Sequence, residues 1–285
     1  MHWNVAINVV CSATKANGHG TEGRVNTDLI VTLPWGAILA GAAVLGAVIG
    51  SFLGAVLIRL PEGRSVVRGR SACDGCGKAL TIGELVPVLS WAIQRGKCRA
   101  CGVSIGTAQF VCELGGAAIG IGAVLWARNN LALAAMIFGW QLLLLGLLDL
   151  RHLWLPRVLV GWLAITGAVV VLARTIAVGT LDPAIVSLTG GALGYLLFWL
   201  IARFYLKARG NEGMGSGDPP LMGAIGLWLG PLGVVEVMLG ASIVGILAAI
   251  VMLVSKRSIA ADTALPLGTC LAATAWPIFL LQGLG

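Results

Sequence analysis

Apolar residues run along this chain in long unbroken stretches rather than in the alternating or three-to-four-residue patterns of soluble strands and helices. Eight such segments stand out, at about 34–58, 108–127, 131–150, 156–177, 183–206, 219–230, 233–255 and 264–283. Most approach the roughly 20 apolar residues that carry a helix across a bilayer, so the pattern predicts an all-α polytopic integral membrane protein. Continuous runs argue against a β-barrel, whose strands would alternate. The sixth segment is short for a full span; it is expected to tilt, or to continue the glycine-rich turn before it into the membrane. Gly116–Gly120 and Gly190–Gly194 have the small-xxx-small spacing that favours close helix packing.

Composition agrees. Of 285 residues 58% are apolar and 11% charged, where a soluble domain carries about 25% charged residues, and the mean hydropathy is +0.94. The net charge of +7 would suggest nucleic acid in a soluble chain, but its placement reads as topology, and no nucleic-acid partner is expected. With the N-terminus outside, fifteen of the nineteen Lys and Arg fall on the cytoplasmic side: Arg59, Arg64, Arg68, Arg70, Lys78, Arg95, Lys97, Arg99, Arg151, Arg157, Arg203, Lys207, Arg209, Lys256 and Arg257. Lys15, Arg24, Arg128 and Arg174 remain on the other face, which favours N-out and C-out. The chain divides into a polar tail, 1–32, a first transmembrane helix, 33–58, a cytoplasmic loop, 59–107, and a transmembrane region, 108–285. The tail lacks the charged-then-apolar build of a cleavable signal, and its Cys11 reads as a lone thiol.

The loop 59–107 contains Cys73-x-x-Cys76 and Cys98-x-x-Cys101, twenty-one residues apart. Cytosolic thiols stay reduced, so disulfides are not expected there. Two such knuckles suit tetrahedral coordination of a structural metal, zinc by preference, and a loop too small to bury a core gains folding energy from it. Redox-active or unpaired thiols are the alternative. Cys112 and Cys270 lie in apolar runs and read as buried small hydrophobes.

The acids inside apolar sequence carry the chemistry. Gly213-Met214-Gly215-Ser216-Gly217-Asp218-Pro219-Pro220 is a glycine-rich turn ending in an acid, which reads either as an N-cap with Pro219 at N1 or as a functional carboxylate. Gly213, Gly215 and Gly217 would let a substrate backbone lie close against this turn. Asp149 ends the third span, facing the unfavourable end of the helix dipole unless Arg151 or His152 pairs with it; an intramembrane acid is a functional candidate by default. His152 reads as a headgroup contact, and Glu113 and Glu236 as structural hydrogen-bonders. Asp149 and Asp218 are expected together at the cytoplasmic edge, with Glu113 deeper and Glu236 toward the opposite side.

Taken in order, these features resemble the type IV prepilin peptidases, bifunctional leader peptidase/N-methyltransferases. The resemblance rests on Gly50-Ser51-Phe52-Leu53 with Arg59-Leu60-Pro61, the four-cysteine loop enclosing Pro87-Val88-Leu89-Ser90-Trp91, Glu113, Asp149 with Pro156, Gly215-x-Gly217-Asp218, and Leu265-Pro266-Leu267-Gly268. It implies that Asp149 and Asp218 are the catalytic pair of an aspartic peptidase of the bacterial inner membrane. Such an enzyme removes prepilin or pseudopilin leaders after a glycine and methylates the new N-terminus from S-adenosylmethionine. It also implies that Cys73, Cys76, Cys98 and Cys101 bind zinc. The chain departs from the family pattern at Gly54, Arg151, Arg157 and Pro220, and no sequence motif marks a pocket for the methyl donor. A peptidase without methyltransferase activity, an ion-coupled transporter using intramembrane acids and a purely structural zinc-loop scaffold are the other readings.

Overall fold

The computed structural model describes residues 34–66, 72–73, 75–84, 86–127, 131–210, 214–254 and 266–282. The tail 1–32 with Cys11, and also Gly213, Leu265 and the basic residues Arg68, Arg70, Arg128, Lys256 and Arg257, lie outside them. The helices are α1 (Trp35–Arg59), a short α2 (Leu89–Ile93), α3 (Thr107–Trp126), α4 (Ala132–His152), α5 (Arg157–Val178), α6 (Asp182–Arg209), α7 (Asp218–Val254) and α8 (Leu267–Gln282). Six of them are long and apolar enough to cross a membrane, and α8 adds a shorter apolar helix. The protein is an all-helical, multi-pass membrane protein.

The expected sixth and seventh segments are joined directly within α7. At Gly230 the backbone leaves the helix, with φ 71° and ψ −176°, and Pro231 follows. That conformation is reserved for glycine, and proline cannot continue the preceding hydrogen-bond ladder. The two arms then run in opposite directions. In the first, Gly226 and Gly230 lie against Gly190, and Met222 against Gly194, so the arm is antiparallel to α6. In the second, Met238 through Ala249 returns beside Phe198 of the same helix. The junction is therefore a helical hairpin, and the eight expected segments are all present.

Side-chain contacts fix how the remaining helices run. Gly46 of α1 meets Gly116 of α3, and Ala42 meets Gly120, so these helices are antiparallel at backbone contact. The Trp276 indole N–H donates to the Ala135 carbonyl while Thr269 donates to that of Gly146, which sets α8 antiparallel to α4. Gln282 reaches Glu236 of the returning arm of α7, far from the chemistry, as expected of a structural hydrogen-bonder. Phe138, Trp228 and Phe279 stack at the centre, where α4, α7 and α8 meet.

All of this brings the C-termini of α1, α4 and α6 to one face, together with the N-termini of α3, α5, α7 and α8. The described basic residues gather there too, all but Arg174: Arg59, Arg64, Lys78, Arg95, Lys97, Arg99, Arg151, Arg157, Arg203, Lys207 and Arg209. The first arm of α7 has only twelve residues before Gly230 and spans about 18 Å, less than the roughly 30 Å of a hydrocarbon core. Since its Gly230 end reaches the first two turns of α6, its other end, at Asp218, is sunk below the basic face.

Candidate active site

Asp149 lies in the last turn of α4 and is 6% exposed. The dipole of its own helix is unfavourable to a carboxylate there, but the side chain does not depend on that helix. Its Oδ2 accepts the backbone N–H of Thr269, the third residue of α8, at 2.8 Å, and the Thr269 hydroxyl lies 3.3 Å away. An amide in a helix's first turn has no intrahelical partner, and the positive end of the dipole favours an anion. The same hydroxyl donates to the Gly146 carbonyl at 2.8 Å, tying the start of α8 to α4 just beneath the acid. Asp149 forms no ion pair with Arg151 or His152 among the described residues; both are exposed on the basic face. Thr269 was missed by the sequence reading, which stopped one residue short at Gly268; a hydroxyl next to a proline-initiated helix was the available signal.

Asp218 opens α7 and is 5% exposed. The N-cap expectation is corrected. A capping carboxylate needs the N–H of the second or third helical residue, but Pro219 and Pro220 have none and the Leu221 amide donates to the Gly217 carbonyl at 3.1 Å. The carboxyl instead folds back on its own loop: a Cβ at Gly215 would sit 3.1 Å from its Oδ2, and Gly215 is its backbone partner. Gly217 abuts Leu155, where a Cβ would come within 2.7 Å of the leucine Cβ. Leu155 also touches the position that a Cβ would take at Gly268, which is itself 3.0 Å from Asp149 Oδ2. The turn after α4, the glycine loop and the start of α8 thus meet at Leu155, and Asp149 is close enough for its charge to act on Asp218. Beside the loop a pocket of about 360 Å³ opens between Arg157, Trp199, Arg203, Ser216 and Pro219.

Glu113, the third buried acid, takes no part in this pair. Its carboxylate accepts the Val88 N–H at 2.7 Å and the Gln109 side-chain N–H at 3.1 Å, which binds the loop 59–107 to α3.

In that loop the Sγ atoms of Cys73, Cys76, Cys98 and Cys101 all lie within 4.8 Å of one another. Cys73 and Cys101 are 3.8 Å apart, close to the ~3.8 Å edge of a tetrahedron with metal–sulfur bonds of about 2.3 Å. The two knuckles are copies of one turn. Cys73 N–H donates to the Lys78 carbonyl and Gly77 N–H to that of Cys73; Cys98 N–H donates to Val103 and Gly102 N–H to Cys98. Gly77 and Gly102 both take the left-handed conformation, at φ 70° and 71°, which lets each chain fold over its sulfurs. The amides of Cys101 and Ala100 and the Cys73 sulfur pull Cys98 down to about 6, so it is a thiolate at neutral pH. The Val103 amide favours ionisation of Cys101, but burial and the neighbouring sulfurs outweigh it and push that thiol up to about 12. Four thiols that share protons so unequally form a donor set placed to hold a metal ion. A side turn supports it, where the Thr81 amide and hydroxyl each donate to Glu84 at 2.9 Å and hold that carboxyl below its usual range.

A multi-pass helical protein with two buried carboxyls converging from different spans, and a four-thiol loop between its first two spans, is the architecture of an intramembrane aspartic peptidase. Residues 44–127 match the Bacterial Peptidase A24 N-terminal domain and residues 136–250 the Type IV leader peptidase family. A Burkholderia pseudomallei protein named prepilin leader peptidase/N-methyltransferase is 35% identical over 268 residues, covering 85% of this chain and 84% of its own. The Escherichia coli O78:H11 type 4 prepilin-like proteins leader peptide-processing enzyme is 32% identical over 262 residues, with 85% and 94% covered. A prepilin leader peptidase/N-methyltransferase of Pseudomonas aeruginosa is 32% identical over 281 residues, with 90% and 94% covered. The chain belongs to the type IV leader peptidase family. No solved structure gives a significant match to it.

Proposed function

We propose that this chain removes the leader from prepilin or pseudopilin substrates at the cytoplasmic face of the bacterial inner membrane, and methylates the new N-terminal residue from S-adenosylmethionine. Asp149 and Asp218 are its catalytic pair. The observation that carries this reading is the convergence of two buried carboxyls, from α4 and α7, around Leu155 at the basic end of the bundle. The density of basic residues at that end supports its assignment to the cytoplasm.

Two neighbouring acids in a dry site do not both ionise cheaply, so the pair holds one proton between them. The ionised carboxyl takes a proton from water as that water attacks the scissile carbonyl. The protonated carboxyl gives its proton to the leaving amine, and the peptide bond breaks. Asp149 is held for this by Thr269 at the start of α8, and Asp218 by its own glycine loop. Gly215 and Gly217 present bare backbone along which a substrate strand lies, and the pocket beside Arg157 and Arg203 receives the chain on the cytoplasmic side. Cys73, Cys76, Cys98 and Cys101 would hold zinc, which would supply folding energy to the loop. S-adenosylmethionine, when bound, supplies the methyl group.

Co-expression with a prepilin followed by intact-mass measurement tests the reading. The wild type yields a cleaved, methylated pilin, whereas Asp149→Asn and Asp218→Asn each insert normally and leave the leader in place. Full cleavage by either variant would falsify the pair. Cleaved but unmethylated product from the wild type would reduce the function to peptidase alone.

A further inference from the structure

The short helix α2 in the cysteine loop is built the wrong way round for a piece of protein surrounded by water. Its polar side is turned inward. Ser90 and Gln94, one turn apart, face α1 and α3 together with Trp91, whose ring stacks on Phe110 with centroids 4.4 Å apart. Its apolar side is turned outward. Leu89 and Ile93, also one turn apart, are 60% and 68% exposed, and Val86 just before them is exposed as well. Helices on a soluble surface show the reverse arrangement. The helix is held in this orientation at both ends. A γ-turn at Val88, with φ 64° and ψ −52° and closed by the Leu89 N–H on the Pro87 carbonyl, leads into it, and Arg95 at φ 51° leads out of it. A β-branched residue in that conformation is strained and persists only where its surroundings impose it. Here the Glu113 carboxylate accepts the Val88 N–H at 2.7 Å and fixes the turn to α3.

Depth accounts for the inversion. With 20 residues α3 is about 30 Å long, the thickness of the hydrocarbon layer, so Thr107 marks the boundary of that layer on the basic face. Phe110 lies in the first turn of α3 and Glu113 in the second. The contacts that Trp91 and Val88 make with them hold α2 within about 10 Å of that boundary, where headgroups give way to acyl chains. The charges suit the place. Arg95 and Lys97 follow α2 directly and are exposed, and neither forms an ion pair among the described residues. An outward apolar pair next to free cations is the build of a segment that lies in the surface of an anionic leaflet.

We propose that α2 is an interfacial membrane anchor. Leu89 and Ile93 enter the acyl chains of an anionic phospholipid leaflet, and Arg95 and Lys97 lie against its headgroups. The loop 59–107 then rests on the bilayer as well as on α1 and α3, and its metal-binding knuckles are held at a set height above the membrane. The test uses full-length protein in nanodiscs of mixed phosphatidylcholine and phosphatidylglycerol, with a trace of phospholipid that carries a diazirine in the upper part of one acyl chain. After irradiation, peptide mapping by mass spectrometry finds lipid adducts on the segment 86–93 as well as on the spans, a readout that needs no variant to fold. Leu89→Asn combined with Ile93→Asn lowers the adducts on that segment about tenfold and leaves those on α5 unchanged. Leu89→Met combined with Ile93→Met keeps the wild-type labelling. In nanodiscs of phosphatidylcholine alone the wild-type adducts on 86–93 fall about fivefold. A wild-type segment free of adducts while α3 and α5 carry them overturns the proposal, as does labelling indifferent to the two asparagines or to phosphatidylglycerol.

Discussion

Thr269 makes Asp149 a carboxyl held from outside its own helix, by its amide directly and by a hydroxyl that pins the start of α8 to the Gly146 carbonyl. Thr269→Val removes the hydroxyl and keeps the 2.8 Å amide bond. The expected outcome is a turnover number for leader cleavage lowered about tenfold, with KM little changed and Thr269→Ser restoring the rate. The cysteine cluster yields a prediction in pH. Cys98 is lowered to about 6, below the value of a free thiol, so ionisation is favourable in the folded loop above that pH and lost as pH falls through it. Metal occupancy, followed by elemental analysis after equilibration, is expected to hold at pH 7 and drop below pH 6. At this scale the sequence was uneven in what it disclosed. Asp149 and Asp218 stood out because an acid in an apolar run has so few comfortable explanations. Of the two readings of Asp218, the cap fails because Pro219 and Pro220 leave no amide to cap, which the sequence already showed. Thr269 carried no such warning, since a threonine near a helix start is ordinary until a carboxylate from 120 residues away settles on it.

The first arm of α7 is the element on which the site depends. Gly217 must approach Leu155 closer than any Cβ permits, so Gly217→Ala displaces the loop that carries Asp218. A shift of about 1 Å is worth roughly a hundredfold in rate, and a loss of that order in leader cleavage without loss of membrane insertion is expected. Gly230→Ala strains the hairpin instead, at φ 71° and with Val186 in the way, and costs about 1–3 kcal/mol, read as a lowered Tm in detergent. The helices were the most legible part of the chain, because continuous apolar runs have one economical outcome in a bilayer. The span boundaries fell within a few residues throughout. The reversal at Gly230 falls in the gap expected between the segments 219–230 and 233–255, but that the two arms join without an intervening loop was not legible in the sequence. A cavity between the cysteine loop, α1 and α3, lined by Ser51, Trp91 and Glu113, was invisible for a different reason. Ser51, Trp91 and Glu113 come from three separate stretches and meet only when α1 and α3 pack through Gly46 and Gly116.

Across the whole molecule α1 and α3 pack on α4, and α3 also meets α8 where Gly122 lies against Trp276. The cysteine loop rests on α1 and α3, and the aspartates on α4, α7 and α8. Removal of the metal by a chelator, or Cys98→Ser, is therefore expected to leave most leader cleavage in place. Mass spectrometry of the pilin would show a cut N-terminus, and loss of cleavage in step with loss of the metal would mean that the loop and the aspartates are mechanically coupled.

The clasp between Thr269 and Asp149 also bears on how the protein is made. The amide that steadies one acid belongs to α8, which leaves the ribosome after both aspartates, so a nascent chain that stops short of α8 carries both acids yet lacks the geometry to use them. Synthesis must pass α8 before proteolysis can begin, and copies cut short of it stay harmless to the membrane that receives them.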